Sequence, residues 1–226
     1  MTHLPKTSHD QSGFGLIEVL VALVILLVGL LGLAGIMVQS QRSEMESYQR
    51  VQALILLRDM AGRINANRNA AECYGGLTPA SGAMANPAST SSFLGTSSTA
   101  NTTTLATCTP TSGNTVTATQ SAQVTTDMND WQSLLLGAAE TSGGNNAGAM
   151  IGARGCINYD GTNLLTALNG SSIPGTGLYT VSVAWQGLGD TFANTSLLCG
   201  QGWYGSETRR RVVSLTFRIG SIGNIN

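Results

Sequence analysis

One uninterrupted apolar run dominates the hydrophobic pattern of the chain: residues 14–38, FGLIEVLVALVILLVGLLGLAGIMV. As an α-helix, this run would be about 37 Å long at 1.5 Å per residue. The hydrocarbon core of a bilayer is about 30 Å thick, so the run predicts a transmembrane helix. Gly29, Gly32 and Gly35 recur in it at three-residue spacing, which is typical either of close helix packing or of a local weak point in the helix.

The helical pattern continues beyond Val38 but changes in character. Charged residues alternate there with apolar ones, which recur at steps of three or four residues. We expect one helix from about Phe14 to Ala66, whose second half, residues 39–67, is amphipathic and packs against a globular domain. The predicted apolar stripe consists of Tyr48, Val51, Leu54, Leu57, Ala61 and Ile64.

Residues 68–226 form the predicted globular domain. Its first part, residues 75–126, contains no Asp, Glu, Lys or Arg and is rich in Ser, Thr, Ala, Asn and Gly. This composition is typical of a loop or of irregular surface structure. It would also suit an O-glycosylated or adhesive surface, although no local motif specifies a ligand.

A short helix is predicted directly after this region, over residues 127–137. Asp127 or Thr126 would cap it, because short polar side chains accept hydrogen bonds from the free N–H groups of a first helical turn. Its buried face would consist of Trp131, Leu134 and Leu135.

The last third of the chain, residues 155–220, predicts a small antiparallel sheet. Apolar and polar residues alternate in Leu178–Gln186 and in Arg210–Ile219, as in strands with one buried face. Gly155–Tyr159 is a third candidate strand, and Asp160-Gly161 after it is a hairpin signal. A long helix laid across this sheet is the simplest packing, so the predicted fold class is α+β.

Cysteine usage adds a constraint on the compartment. The chain has four cysteines, all beyond the apolar run. An even number on the far side of a membrane anchor indicates disulfides in an oxidising environment. Three pairings are possible, and the positions of the strands favour Cys156–Cys199 together with Cys73–Cys108.

Glu18 is the only ionisable residue within the apolar run. A carboxylate in a membrane helix costs about 3 kcal/mol unless it is paired or neutralised, so its presence indicates a function. Cleavage between Gly13 and Phe14 would create a positive amine on Phe14, which is a natural partner for Glu18. A secretory signal, ending near Leu33-Ala34-Gly35, would have a shorter apolar region of about 7–15 residues. An ordinary single-span anchor is the simpler alternative, but it leaves Glu18 unexplained.

The same residues resemble the signature of the type IV prepilin family. That signature is a short polar leader ending in Gly, followed by Phe, a small or polar residue, Leu, Ile, Glu and a long apolar helix. The chain has Gly13-Phe14-Gly15-Leu16-Ile17-Glu18 at this point. The resemblance implies that a prepilin peptidase removes residues 1–13 and N-methylates Phe14. It also implies that Glu18 neutralises the amine of a neighbouring subunit during assembly.

The resemblance further implies a location and a set of partners. A processed pilin-like chain would sit in the bacterial inner membrane as a single-pass protein with a periplasmic domain, and would then enter a pilus at the cell surface. Its partners would be the prepilin peptidase, the major pilin, other minor pilins, the inner-membrane assembly platform and membrane lipid. It would need no cofactor.

A narrower likeness is to the type IV pilus modification protein (PilV) subgroup of minor pilins. It implies a low-abundance subunit that helps to start pilus assembly, a process connected with cell adhesion and twitching motility. The segments that carry it are Leu16–Ala22, Leu30–Gly35, Asp127–Trp131, Gly155-Cys156, Tyr179–Trp185 and Arg210–Val213.

No enzymatic activity, metal site or nucleic-acid partner is predicted. Both histidines, His3 and His9, precede Phe14, so the processed chain would have no imidazole for base catalysis or metal binding. The cysteines are too widely spaced for a zinc site. Residues 158–163 (NYDGTN) faintly resemble a calcium loop but lack its later acidic ligand. The net charge of −1 indicates no strong field toward nucleic acid. Arg209–Arg211 could contact a phosphate, but such a run more often opens a strand at a solvated edge.

Two other functions fit much of the sequence. A minor pseudopilin of a type II secretion system would share residues 13–38 and differ mainly in its globular domain. A membrane-anchored binding domain that never polymerises would keep residues 1–13 instead of losing them.

Overall fold

The computed structural model describes residues 13, 15–75, 94–95, 115–148 and 150–220. The chain divides into two compact units, Met1–Glu44 and Met45–Asn226. The second unit is called the head below. Helix α1, Leu16–Ala66, contributes residues to both units.

The first unit consists, in its described part, of the beginning of α1. The helix starts where the carbonyl oxygen of Gly15 accepts hydrogen bonds from the backbone N–H groups of Glu18 (2.9 Å) and Val19 (3.4 Å). Every residue from 15 to 44 is exposed. The predicted start at Phe14 falls on a residue outside the described ones, whereas the predicted end at Ala66 agrees with the structure.

In its described residues, the head combines the second half of α1 with two further helices and a three-stranded sheet. A 3-10 turn, Arg68–Ala70, and the single-turn helix α2, Ala71–Tyr74, follow α1. Helix α3, Ala118–Leu135, packs beside α1. The two helices are joined by a hydrogen bond from the Trp131 indole N–H to the carbonyl oxygen of Leu56, at 3.0 Å. Trp131 is fully buried there.

The buried side of α1 differs from the predicted stripe. Tyr48, Val51 and Leu54 are exposed by 47%, 53% and 39%. The prediction placed them on one face with Leu57, but each step of three residues turns about 60° backwards around a helix of 3.6 residues per turn. Three such steps put Leu57 opposite Tyr48. The side that is buried consists of Gln49, Ala53, Leu56, Leu57, Met60, Ala61 and Ile64.

Helix α3 begins nine residues before the predicted start at Asp127, so the predicted loop over residues 75–126 extended too far. The true cap is Thr117, whose hydroxyl oxygen accepts from the backbone N–H of Gln120 at 3.3 Å. The Gln120 side chain accepts in turn from the Thr117 N–H at 3.0 Å. This reciprocal pair is a capping box, which satisfies two free N–H groups of the first turn. Asp127 is a buried residue inside the helix.

The sheet of the head has three antiparallel strands in the order β3-β6-β7: β3, Ile151–Asp160; β6, Leu178–Gln186; and β7, Arg210–Arg218. The predicted bounds of β6 are confirmed, β7 is one residue shorter, and β3 is longer at both ends. A helix against a small antiparallel sheet confirms the α+β class.

The inner face of the sheet forms the core with α1 and α3. On the central strand β6, this face carries Tyr179, Val181, Val183 and Trp185, all at most 3% exposed. The Trp185 indole N–H donates to the side-chain oxygen of Gln49 at 3.1 Å. The hydrogen bond explains why a polar residue lies on the buried side of α1.

The hairpin predicted at Asp160-Gly161 was wrong, because this turn does not connect two paired strands directly. The partner of β3 is β6, which starts only at Leu178. The Asp160 carboxylate instead closes a local turn by accepting from the Thr162 N–H at 2.9 Å. The intervening residues form a small hairpin of β4, Leu165–Thr166, and β5, Ser172–Ile173. A second small hairpin, β1 (Thr141–Ser142) with β2 (Asn145–Asn146), follows α3.

The outer face of the sheet is covered by residues 187–209, called the β6–β7 loop. A disulfide joins Cys156 of β3 to Cys199 of this loop, and the pair packs with Ala184 and Tyr204. Cys73 is also disulfide-bonded. Cys108 lies outside the described residues, so the pairing Cys73–Cys108 stays a prediction.

Gly155→Ala tests the packing between α3 and the sheet. A Cβ atom at this position would lie 2.4 Å from the Trp131 ring and 2.6 Å from a Leu135 methyl group. Because both side chains are buried, overpacking should lower the free energy of unfolding by about 1–3 kcal/mol. Urea unfolding of the full chain in detergent measures this loss. The control is Gly189→Ala, where the added methyl group would meet nothing within 4 Å; equal losses in both variants would contradict the packing.

Removal of the Cys156–Cys199 bridge tests the loop closure. The bridge joins cysteines 43 residues apart in sequence. A cross-link over this distance restricts the unfolded chain and should raise the free energy of unfolding by about 4 kcal/mol. Cys156→Ser, Cys199→Ser and the double variant should each lose nearly this amount in urea unfolding, since each breaks the same bond. Additive losses from the two single variants would contradict the bridge.

Candidate functional site in the N-terminal segment

The predicted processing junction lies at the boundary of the described residues. Gly13 and Gly15 are exposed, while residues 1–12 and Phe14 lie outside the described part. A Cβ atom on Gly13 would meet nothing within 4 Å. Gly13 is therefore exposed on the N-terminal side of the predicted junction.

Glu18 lies in the first turn of α1 and is exposed. A negative side chain in a first turn is stabilised by the free N–H groups of the helix N-terminus, typically by about 0.3–1 kcal/mol. Within the described residues, the Glu18 carboxylate has no hydrogen bond or ion pair.

The surface around Glu18 is apolar on every side of the helix. Exposure of its large side chains ranges from 49% at Val21 to 84% at Leu16. An 18-residue window of α1 has a mean hydropathy of 3.0, and none of that window is buried within the chain. By length and composition, α1 can cross a membrane.

The three glycines of the apolar run do not break the helix. Gly29, Gly32 and Gly35 are helical, and a Cβ atom at each would meet open space. They therefore leave a small-residue stripe on the helix surface, where another helix could approach closely.

The charged groups of the head are largely occupied by contacts within it. Arg63 binds Asp59 (2.9 Å), Asp127 (3.0 Å) and Asp130 (3.2 Å), which ties α1 to α3. The Tyr74 hydroxyl donates to the Asp127 carboxylate at 2.5 Å. Burial is the main reason why the pKa of Tyr74 is raised, and the hydrogen bond to Asp127 raises it further. This cluster is structural, because its ion pairs and hydrogen bonds join α1, α2 and α3 within the head.

The arginine run at the start of β7 does not form an open basic patch. Arg209 lies 3.4 Å from Asp190, Arg210 is buried and binds Glu207 at 2.6 Å, and Arg211 binds Glu46 of α1 at 3.1 Å. Each guanidinium thus has a carboxylate partner within the head.

Residues 158–163 do not gather acidic side chains around a shared point. Asp160 accepts hydrogen bonds from the Thr162 hydroxyl (2.6 Å) and backbone N–H (2.9 Å), which lower the pKa of its carboxyl. Among all described residues, no group of three or more His, Cys, Asp or Glu side chains could hold a metal ion.

One polar cluster escaped the sequence interpretation. The Glu140 carboxylate accepts hydrogen bonds from the Tyr48 hydroxyl and from the Gln52 amide. The hydrogen bond to Glu140 raises the pKa of Tyr48. No local signal could have revealed this cluster, because Glu140 follows α3 and its two partners lie on α1, 88 and 92 residues earlier.

Comparison with known families points to the N-terminal segment. A family model described as the prokaryotic N-terminal methylation motif matches residues 8–34. The matched segment includes Gly13, Phe14 and Glu18, and it ends within the apolar run. No curated protein and no solved structure matches the chain. These comparisons give no support to the narrower PilV likeness.

The chain therefore carries a type IV prepilin-like signal. Such a signal implies processing by a prepilin peptidase and use of pilus-type assembly machinery. Together with the apolar first unit, it indicates anchoring in a membrane. The motif is characteristic of structural subunits rather than of enzymes.

Intact-mass and N-terminal analysis of the chain isolated from membranes tests the processing. We expect a chain that starts at Phe14 and carries one additional methyl group on its amine. Gly13→Ala should greatly reduce the processed fraction. The signature requires Gly at the end of the leader, and the substitution adds a methyl group where the peptidase would bind it. A chain that retains Met1 or Thr2 would contradict the processing signal.

Proposed function

We propose that this protein is a minor type IV pilin that takes part in starting or building a pilus. The observation that carries the proposal is the coincidence of three features in residues 8–34. They are the methylation motif, a carboxylate in the first turn of α1, and an apolar helix surface that is exposed at every described residue from 15 to 44.

Processing would prepare the N-terminus for assembly. Hydrolysis of the Gly13–Phe14 bond adds one water molecule, leaves a carboxylate on Gly13 and frees the amine of Phe14. Methyl transfer from a sulfonium donor would replace one N–H hydrogen, which leaves as a proton. The resulting secondary amine is still basic and stays positively charged at neutral pH. The processed chain would then have a cation four residues before Glu18, about 6 Å along a helix.

Glu18 would act as the electrostatic partner of such an amine on a neighbouring subunit. An unpaired carboxylate within the membrane costs about 3 kcal/mol, and an isolated ammonium group is similarly unfavourable. Pairing the two removes both costs at once. A subunit would therefore be drawn into the register in which its amine meets the Glu18 of its neighbour.

The remaining surface of the first unit fits the same function. In the inner membrane, its exposed apolar side chains would contact lipid, with the head in the periplasm. During assembly, the apolar helices of the major pilin, of other minor pilins and of the assembly platform would replace that lipid. The open glycine stripe would allow these helices to pack closely.

A pseudopilin of a type II secretion system would use the same N-terminal chemistry. Deletion of the gene separates the two functions, because loss of surface pili with normal secretion supports a pilin. Loss of protein secretion with intact pili would support the pseudopilin. A chain that keeps residues 1–13 and forms no filament would instead be a simple membrane-anchored domain.

Glu18→Ala tests the assembly role of the carboxylate. The variant should be made, inserted and cleaved, but its incorporation into sheared pili should fall at least about tenfold, the effect of losing 1.4 kcal/mol or more. Immunoblots of the pilus and membrane fractions measure this ratio. Glu44→Ala is the matched control, since Glu44 is also an exposed glutamate of α1. Normal incorporation of Glu18→Ala would remove the role assigned to Glu18.

A further inference from the structure

The β6–β7 loop begins beside the first residues of α1 that belong to the head. One nitrogen of the Arg211 guanidinium lies 3.1 Å from the Glu46 carboxylate and donates to the carbonyl oxygen of Gly189 at 2.8 Å. The carboxylate and the carbonyl therefore lie next to each other. Glu46 and residues 186–192 are called the entry end of the head below.

The entry end exposes apolar side chains. Phe192 is 90% exposed and Leu188 is 41% exposed. Ile151, which pairs with Gln186 of β6, is 50% exposed at the same end of the sheet. A single exposed apolar residue is common on a protein surface, whereas several at one end indicate a surface that contacts an apolar partner.

The loop holds Phe192 in a defined place. The backbone N–H of Thr191 donates to the carbonyl oxygen of Thr208 at 2.8 Å. Two residues after Phe192, the carbonyl oxygen of Asn194 accepts a hydrogen bond from the buried Arg210 guanidinium. A pre-organised side chain loses little conformational entropy when it inserts into a partner.

The charged groups beside these apolar side chains are paired. Asp190 lies 3.4 Å from Arg209, and Glu46 is neutralised by Arg211. Each pair has a net charge of zero, so the pairs create little repulsion toward a lipid surface, whether that surface is neutral or anionic.

The entry end is also the part of the head that follows the apolar run most closely in sequence. Only seven residues separate Val38, the last residue of that run, from Glu46. Along a helix, the step between these two residues is about 12 Å. Membrane helices are tilted by about 20° on average, which brings one side of such an end closer to the lipid.

We propose that Phe192, supported by Leu188 and Ile151, inserts into the headgroup region of the membrane that α1 crosses. Apolar side chains that bind at this interface are buried about 5–10 Å deep, at the boundary between headgroups and acyl chains. The partner is lipid rather than a second protein, because anchoring through α1 keeps lipid next to the entry end at all times. The anchor makes the contact intramolecular, so even a weak apolar contact is well populated.

This contact would hold the head against the bilayer while α1 stays in it. The inference rests on membrane anchoring by α1 and goes beyond the proposed function, because it requires no pilus. Glu18→Ala should leave the contact unchanged, so its failure and the failure of pilus assembly are separable.

Photocross-linking in vesicles tests the insertion. The full chain, with the photoreactive residue p-benzoylphenylalanine at position 192, would be reconstituted into vesicles of phosphatidylethanolamine and phosphatidylglycerol. After irradiation, intact-mass analysis should show a covalent adduct that is heavier by one phospholipid molecule. Flotation of the vesicles in a density gradient shows separately whether the chain is anchored.

The matched control carries the same photoreactive residue at position 168. Leu168 is 92% exposed, and its hairpin leaves the sheet where Asp160 pairs with Leu178. That point is about 26 Å along β6 from the entry end. The adduct yield from position 192 should exceed that from position 168 at least about tenfold, which corresponds to a docking free energy of about 1.4 kcal/mol or more.

Three results would overturn the proposal. A floating chain whose yield at position 192 is no higher than at position 168 would exclude the insertion but not the anchoring. A position-192 cross-link to a second copy of the chain instead of lipid would assign the loop to a protein contact. A chain that does not float would exclude both the anchoring and the insertion.

A pair of variants and a change of lipid probe the apolar nature of the contact. Leu188→Asp should lower the adduct yield from position 192 several-fold, because it places a charge at the inserted surface. Leu165→Asp is the control, since Leu165 is 36% exposed on the β4–β5 hairpin. Vesicles of phosphatidylcholine alone should give a similar yield. Equal effects of the two variants, or a yield that requires phosphatidylglycerol, would contradict an apolar insertion.

Discussion

The head depends on the burial of one side of α1, from Gln49 to Ile64, against α3 and the inner face of the sheet. Neither layer could exist alone in water, because a three-stranded sheet with one apolar face needs a cover. The two indole N–H groups of the interface show how tightly it is specified, since Trp131 bonds to the Leu56 carbonyl and Trp185 to the Gln49 side chain. A buried N–H group without a partner would cost about 1–3 kcal/mol, so these bonds fix the rotation of the helix as well as its presence.

That rotation is what the sequence did not reveal. The existence and length of α1 followed from its composition, and strands β6 and β7 followed from simple alternation. The buried side of α1 did not, because Tyr48, Val51 and Leu54 are apolar and yet exposed, while Gln49 is polar and buried. An apolar count along a helix cannot distinguish a side that faces the core from a side that faces another molecule. The hydrogen bond from Trp185, 136 residues away, makes Gln49 a suitable core residue.

The start of α3 shows a different kind of miss, since its signal was present locally. Thr117 and Gln120 have the spacing of a capping box. The sequence prediction instead started the helix at Asp127, because acidic residues also cap helices. Asp127 serves instead as a buried partner of Arg63 and Tyr74. The motif of the N-terminal segment could be recognised from the sequence, because it rests on composition and local spacing rather than on distant contacts. The family match over residues 8–34 covers this segment alone.

The bridge between Cys156 and Cys199 gives the head a topology that a linear chain lacks. It encloses the end of β3, the β4–β5 hairpin, β6 and the start of the β6–β7 loop in one covalent ring. The tip of that hairpin, with Leu168 almost fully exposed, is the kind of site where proteases cut first. A single cut there would open the ring but release no fragment, because the two ends would stay joined through sulfur. The head could therefore be nicked once at this tip and still be held as one molecule.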